Sequence, residues 1–396
     1  MQVPSAQERG IYNVRDYGAR GNGSADDTVA IRSAIAAAQQ NAYGGVVYLP
    51  VGQYVVTAPL VITRSDILIL GSGPLATMGG AGQNDGNCTT IKPAASWTQG
   101  GASQPACILF DAGTAGTALN RCGVERLTIL GSNLPSGIQM HGIATYGYVG
   151  AFSVTGCIIG SIANKSSSGI TNTTSYAPTA QGNSIIRNLV QDVGGDGFDL
   201  ASGDMTMEHC HAQGCGGNGI SITTKAGDTR IANCRSDLSG HNGFYINVPF
   251  GQYLGMVQLA NCSTQRNMEN GILIVNSTSG KISPVYLTGC VFQGDGRNGS
   301  SSAGIRLSGP VMATITGCGV HVNTVDVHSG VPLYAITVAS DGVSPPVMLS
   351  MLGGFYNAVT AFCDKIDTPV TSDIRVYTYA GCQWNYNKIP TLTTEL

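Results

Sequence analysis

Cys210-His-Ala-Gln-Gly-Cys-Gly-Gly-Asn-Gly-Ile-Ser-Ile222 decides the fold, because the chain repeats its pattern twice more. The second copy is Cys234-Arg-Ser-Asp-Leu-Ser-Gly-His-Asn-Gly-Phe-Tyr-Ile246, and the third is Cys262-Ser-Thr-Gln-Arg-Asn-Met-Glu-Asn-Gly-Ile-Leu-Ile274. Working outward, Asn188 opens an earlier copy and Cys290 and Cys318 open later ones, so successive starts are 22, 24, 28, 28 and 28 residues apart. Nine residues after the first five starts stand Gly197, Gly219, Gly243, Gly271 and Gly299. After the first four of these comes a short alternating apolar run, Phe198-Asp-Leu in the first copy and Ile272-Leu-Ile in the fourth. The fifth copy carries an insertion, its run being Ile305-Arg-Leu after Gly304.

A repeat of this length fits one solenoid coil of three short strands and three corners. Stacked coils put equivalent strands side by side, about 4.8 Å apart. The cysteine column is expected to point inward as a small apolar filler, reduced and buried. The glycine column is read as corners needing positive φ. Gln191, Gln213, Gln265 and Gln293, with Asp237 among them, share a register that allows a side-chain amide ladder. Leucine-rich and helical repeats would show Leu or 3.6-residue periods, which are missing. The chain therefore reads as all-β, a parallel β-helix. One helix is expected, over residues 26–40, where Ile31, Ala34, Ile35 and Ala38 share a face and Asp26 or Asp27 caps the start. It would cover the open first coil. Three regions are expected: an N-terminal segment with the capping helix at 1–55, the β-helix at 56–345, and last coils or a cap at 346–396. Residues 165–181, rich in Ser, Thr and Asn, read as a surface loop.

Composition narrows the function. Charged residues are 11% of the 396, against roughly 25% in an average soluble domain. The net charge is −3 with no Lys/Arg run, so a nucleic-acid footprint is absent. No apolar stretch is long enough to span a membrane, and no apolar leader is visible at the N-terminus. The twelve cysteines form no C-x-x-C pair, so no zinc site is expected. No metal and no cofactor are implied.

Tyr12-Asn-Val-Arg-Asp-Tyr-Gly-Ala-Arg-Gly-Asn-Gly-Ser-Ala-Asp-Asp-Thr28, then Gly44-Gly-Val-Val-Tyr-Leu-Pro50 and Gly52-Gln-Tyr54, resemble the opening of the pectate-lyase-like superfamily. The match is specific over residues 11–55. The resemblance implies a right-handed β-helix, a carbohydrate substrate and, for the tailspike branch, a homotrimer. It also implies that Asp16, Asp26 and Asp27 are structural. The Asn-Thr-Asp, Gly-His-Gly and Arg-Ile-Lys motifs of polygalacturonases are missing here; Ser239-Gly-His-Asn-Gly243 is a loose echo.

Glycan hydrolysis needs two carboxyl groups, and elimination beside a uronate needs a base and a cation. In a chain so poor in charge, outward charges are informative. The catalytic candidates are Asp199, Asp237, Tyr245 and His211. Asp199 is a carboxylate on a strand face, where β-propensity disfavours it. The substrate-binding candidates are Arg235, His209, Asp196 and His241. Asp196 also reads as a turn residue, since Asn218, Asn242 and Asn270 fill its place in later coils. A cluster of His211, Arg235 and Asp237 reads equally as a solvated salt-bridged face, and Tyr245 equally as surface packing. His141, His321 and His328 rank lower. Asp199, His211, Arg235, Asp237 and Tyr245 fall in three successive coils between about residues 187 and 247, expected to form one site. The function expected is cleavage of a bacterial surface or extracellular polysaccharide by a tailspike-type depolymerase, extracellular or virion-associated. The alternatives are a uronate-polymer lyase or epimerase, and a non-catalytic glycan-binding or structural spike.

Overall fold

In the computed structural model the described residues are 10–75, 87–113, 118–172, 182–200, 204–223, 228–248, 256–276, 283–297, 302–309, 311–321, 334–339, 348–356, 375–378 and 382–384. Gly299, His328 and most of the 165–181 loop lie outside them. The chain divides into two compact units, Met1–Asp199 and Leu200–Leu396, and each is built from coils of three short strands. All strand pairs within the stacks are parallel, giving a right-handed parallel β-helix. We call the three strands of a coil its first, second and third faces, in chain order.

In the first unit, Gly123–Glu125, Thr128–Leu130 and His141–Tyr146 make one such coil, and Ser153–Thr155, Ile158–Ile162 and Ile170–Thr171 make the next. The helix α1, Thr28–Gln40, buries Ile31, Ala34, Ile35 and Ala38, the face read from the sequence. Its start is held by Asp26, whose Oδ1 accepts from the Thr28 amide at 2.9 Å. Asp27 instead turns to the Arg20 and Gly21 amides, at 2.6 and 3.1 Å.

In the second unit, His211–Gln213, Arg235–Asp237, Ser263–Gln265, Val291–Gln293 and Gly319–His321 stack as second faces, with His211 beside Arg235 and Arg235 beside Ser263. Cys210, Cys234, Cys262, Cys290 and Cys318 precede these strands, are free, and are at most 1% exposed. In the first unit the same inward place is taken by Leu127, Cys157 and Asn188. Sequence alignment missed the first two because coils there run 30 and 31 residues, with longer connections. The Asn188 amide fills the gap by bonding the Cys157 amide and the Val154 carbonyl.

Two expectations are corrected. The glycine column does not supply positive φ. A Cβ at Gly243 would come within 2.5 Å of Thr264 and 2.7 Å of the Gly271 carbonyl, and one at Gly271 within 2.6 Å of the Gly304 carbonyl. Space, not backbone conformation, excludes a side chain there. Positive φ falls instead on the corner before the cysteine column, at His209, Asn233, Asn261, Gly289 and Gly317, and on the corner after the second face, at Gly214, Leu238, Arg266 and Gly294. The glutamine column is in register but is not an amide ladder. Gln265 accepts from Arg235 at 2.8 Å, and Gln213 and Gln293 make no side-chain hydrogen bond to any described residue. The amide ladder runs through the turn column, with Asn242 donating to Asn218 at 3.0 Å and Asn270 donating to Asn242 at 2.8 Å.

Candidate functional site

Among the catalytic and substrate-binding candidates, Asp196 and Asp199 belong to the first unit and the others to the second. Asp199 sits on the third face of the first unit, in strand Phe198–Leu200. Register puts Leu109, Ala144, Thr171 and Asp199 in one column, while Ile108, Ile143, Ile170 and Phe198 form the buried column beside it. The outer column is apolar at Leu109 and Ala144, where Ala102 and Tyr146 pack on it. It becomes polar at Thr171, whose hydroxyl donates to Asp199 Oδ2 at 3.3 Å. Asp199 is partly exposed, yet burial, reinforced by the like charge of Asp196, pushes its carboxyl up from 3.8 to about 6. Asp196 lies in the turn before Gly197, and its backbone carbonyl accepts from the Gly169 amide at 3.1 Å. The arrangement is an acid that keeps its proton up to about pH 6, with a second carboxylate close by.

His211, Arg235 and Asp237 come together on the second face of the second unit. Asp237 Oδ2 accepts from Arg235 Nε at 2.5 Å and from His211 Nε2 at 3.0 Å. Asp237 was expected to face solvent, but it is only 4% exposed, because the Arg235 and His211 side chains close over it. Tyr245 is on another face of that unit, between Ser221 and Leu273 in the third-face register. His209 is an exposed corner residue with φ of 54°, in the place that Asn233 and Gly289 fill elsewhere. His241 pairs through Nδ1 with Glu269 Oε1 at 2.9 Å, and Glu269 also accepts from Asn242 at 3.2 Å. His141 is buried, accepts from the Ser168 amide at Nδ1, and is pushed down to about 4 by burial. It is held neutral as a structural group.

Sequence reasoning missed three acids. Asp204 and Asp228 accept from the first amide of the following coil, Asp228 N and Met256 N, and with Thr206 and Arg230 they line an open pocket of about 150 Å³. Their 24-residue separation equals the local coil step and was legible as a column. Asp295 is fully buried and pushed up to about 7 by burial, while the Thr264 hydroxyl and the Asn267 amide groups donate to it. Among the described residues no group of three or more His, Cys, Asp or Glu is placed to hold a metal ion.

Residues 11–245 match the family described as "Rhamnogalacturonase A/epimerase, pectate lyase-like". Alginate lyase 7 of Azotobacter vinelandii is 47% identical over 68 residues, a stretch amounting to 16% of this chain. The chain spans only 8% of that relative's length. Among solved structures, the A-module of mannuronan C-5 epimerase AlgE6 from Azotobacter vinelandii superposes with a TM-score of 0.56 at 18% identity, over 95% of this chain and 100% of that one. The Dettilon tailspike protein gives 0.58 at 15% identity, over 93% of this chain and 68% of the tailspike. At these identities the structural likeness speaks to the fold.

Proposed function

The chain belongs to the rhamnogalacturonase A/epimerase, pectate-lyase-like family, and on that premise we propose that it cleaves glycosidic bonds of a bacterial surface or extracellular polysaccharide by hydrolysis. The observation that carries this reading is Asp199, a strand-face acid raised to about 6 beside Asp196. Hydrolysis needs a protonated acid at the leaving oxygen and an ionised carboxylate as base or nucleophile, and two carboxyls in unequal environments divide those roles. Asp199 is the acid, and Asp196 is the second carboxylate. Thr171 orients Asp199 by donating to one oxygen, which leaves the other for the glycan. The tailspike likeness supports placing the protein outside the cell or on a virion, as a homotrimer working on a surface glycan.

The test is incubation of the purified protein with a panel of bacterial surface polysaccharides. New reducing ends without near-ultraviolet absorbance are expected. Asp199→Asn should lower their release by about 100-fold, the usual contribution of an acid–base group. A second reading, elimination or epimerisation on a uronate polymer, is favoured by the sequence match to an alginate lyase. Products absorbing in the near ultraviolet would replace hydrolysis with elimination, and a changed uronate composition at unchanged chain length would replace it with epimerisation. Binding without any product would favour the non-catalytic spike.

A further inference from the structure

The second face of the second unit carries a row of groups that the hydrolytic reading does not use. From coil to coil, one outward column runs His211, Arg235, Ser263, Val291, Gly319 and Phe355, and the column beside it runs Gln213, Asp237, Gln265, Gln293 and His321. At one end the imidazole of His321 stacks on the ring of Phe355, with centroids 5.3 Å apart and planes 23° from parallel. Gly319 makes this stack possible, since a Cβ there would come within 2.7 Å of the His321 ring. At the other end Arg235 bridges Asp237 and Gln265 across two coils. Between the ends, the Gln293 amide bonds no described residue, and in the coil before Arg235 neither does that of Gln213. The buried Oδ1 of Asp237 has no donor either.

We propose that this strip is a second glycan-binding face, taking an extended polysaccharide chain along the stack. The chemistry fits hydroxyl-rich ligands: open amides supply donors and acceptors together. A flat aromatic stack receives the apolar face of a sugar ring. Coils about 4.8 Å apart present one such group per step, close to the length of one sugar ring, over roughly 24 Å from His211 to Phe355. Each group stands on a strand, and Arg235, Gln265, His321 and Phe355 are held further by their own contacts, which limits the ordering needed on binding. The ligand is a linear glycan, and an acidic chain would gain from Arg235 over a neutral one. The proposal rests on the chain acting on polysaccharides, but not on Asp199.

The test is native affinity electrophoresis of the full chain in gels containing alginate, polygalacturonate or dextran. His321→Ala with Phe355→Ala, and separately Gln265→Ala with Gln293→Ala, should each weaken retardation at least about fivefold with unchanged circular dichroism. Reducing-end release by Asp199→Asn, scored in a separate assay, tests the catalytic reading alone, so failure of the strip and failure of that reading are distinguishable. Retardation by alginate or polygalacturonate but not dextran assigns the acidic class, and the reverse assigns the neutral one. The proposal is overturned if no polymer retards the parent, if the strip variants bind like the parent, or if their effect follows a change in mass by light scattering.

Discussion

Asp199 and Asp295 are both carboxyls raised by burial, and only one of them faces outward. For both, the stability held by the protonated form is fully present below 3.8, and it is lost as pH rises through about 6 for Asp199 and about 7 for Asp295. Asp295→Asn should therefore flatten the fall in stability between pH 4 and pH 8, by an amount on the order of a few kcal/mol. Thermal melts across that range check it; a parallel pH profile for the variant would contradict it. Asp199→Asn should likewise raise the melting temperature at pH 8 while lowering turnover about 100-fold, as expected where a functional group is held at the expense of stability. Asp199 was legible in the sequence as a charge on a strand face. Asp295 was not, although Cys215, Ser239, Asn267 and Asp295 recur at steps of 24, 28 and 28 residues, because a polar column inside a solenoid looks like turn residues until its hydrogen bonds are seen. His209 stands at an exposed corner, with φ of 54°.

Coils and corners were legible as elements, because a column that repeats every 22 to 28 residues reports a constraint acting once per coil. What the constraint was could not be read from spacing alone. Glycine serves both positive φ and close approach, and the two differ only in what lies above the Cα. Gly243→Ala should destabilise the protein by about 1–3 kcal/mol through overpacking against Thr264 and the Gly271 carbonyl. Gly317→Ala has open space and should be destabilising through its φ of 59° alone. Chemical denaturation ranks the two, and Gly317→Asn separates the causes, since Asn tolerates positive φ and should recover stability there. The cysteine column makes a second prediction. Burial pushes the Cys157 thiol up to about 12, and the five cysteines of the second unit are equally enclosed. A bulky maleimide should leave Cys210, Cys234, Cys262, Cys290 and Cys318 unmodified in the native protein, as read by peptide mass spectrometry. Labelling of several of them would contradict an inward column.

At the scale of the molecule, the fold was legible because a solenoid writes the same local solution many times, and because the opening segment resembles a known superfamily. The site was less legible. Sequence register places side chains along a column but does not say how the columns of different faces lie together: Asp199 and Tyr245 stand on third faces, whereas Asp237 stands on a second face. Homotrimer assembly is the proposal that the tailspike likeness supports, and light scattering giving a mass near 40.8 kDa would contradict it. The claim that hydrolysis depends on a protonated Asp199 is tested most directly by the pH dependence of reducing-end release from a cleaved polysaccharide. Wild type is predicted to lose activity as pH rises through about 6. Asp199→Asn is predicted to retain about a hundredth of the rate with that alkaline limb gone. A variant that keeps the wild-type rate and the wild-type limb would contradict the account.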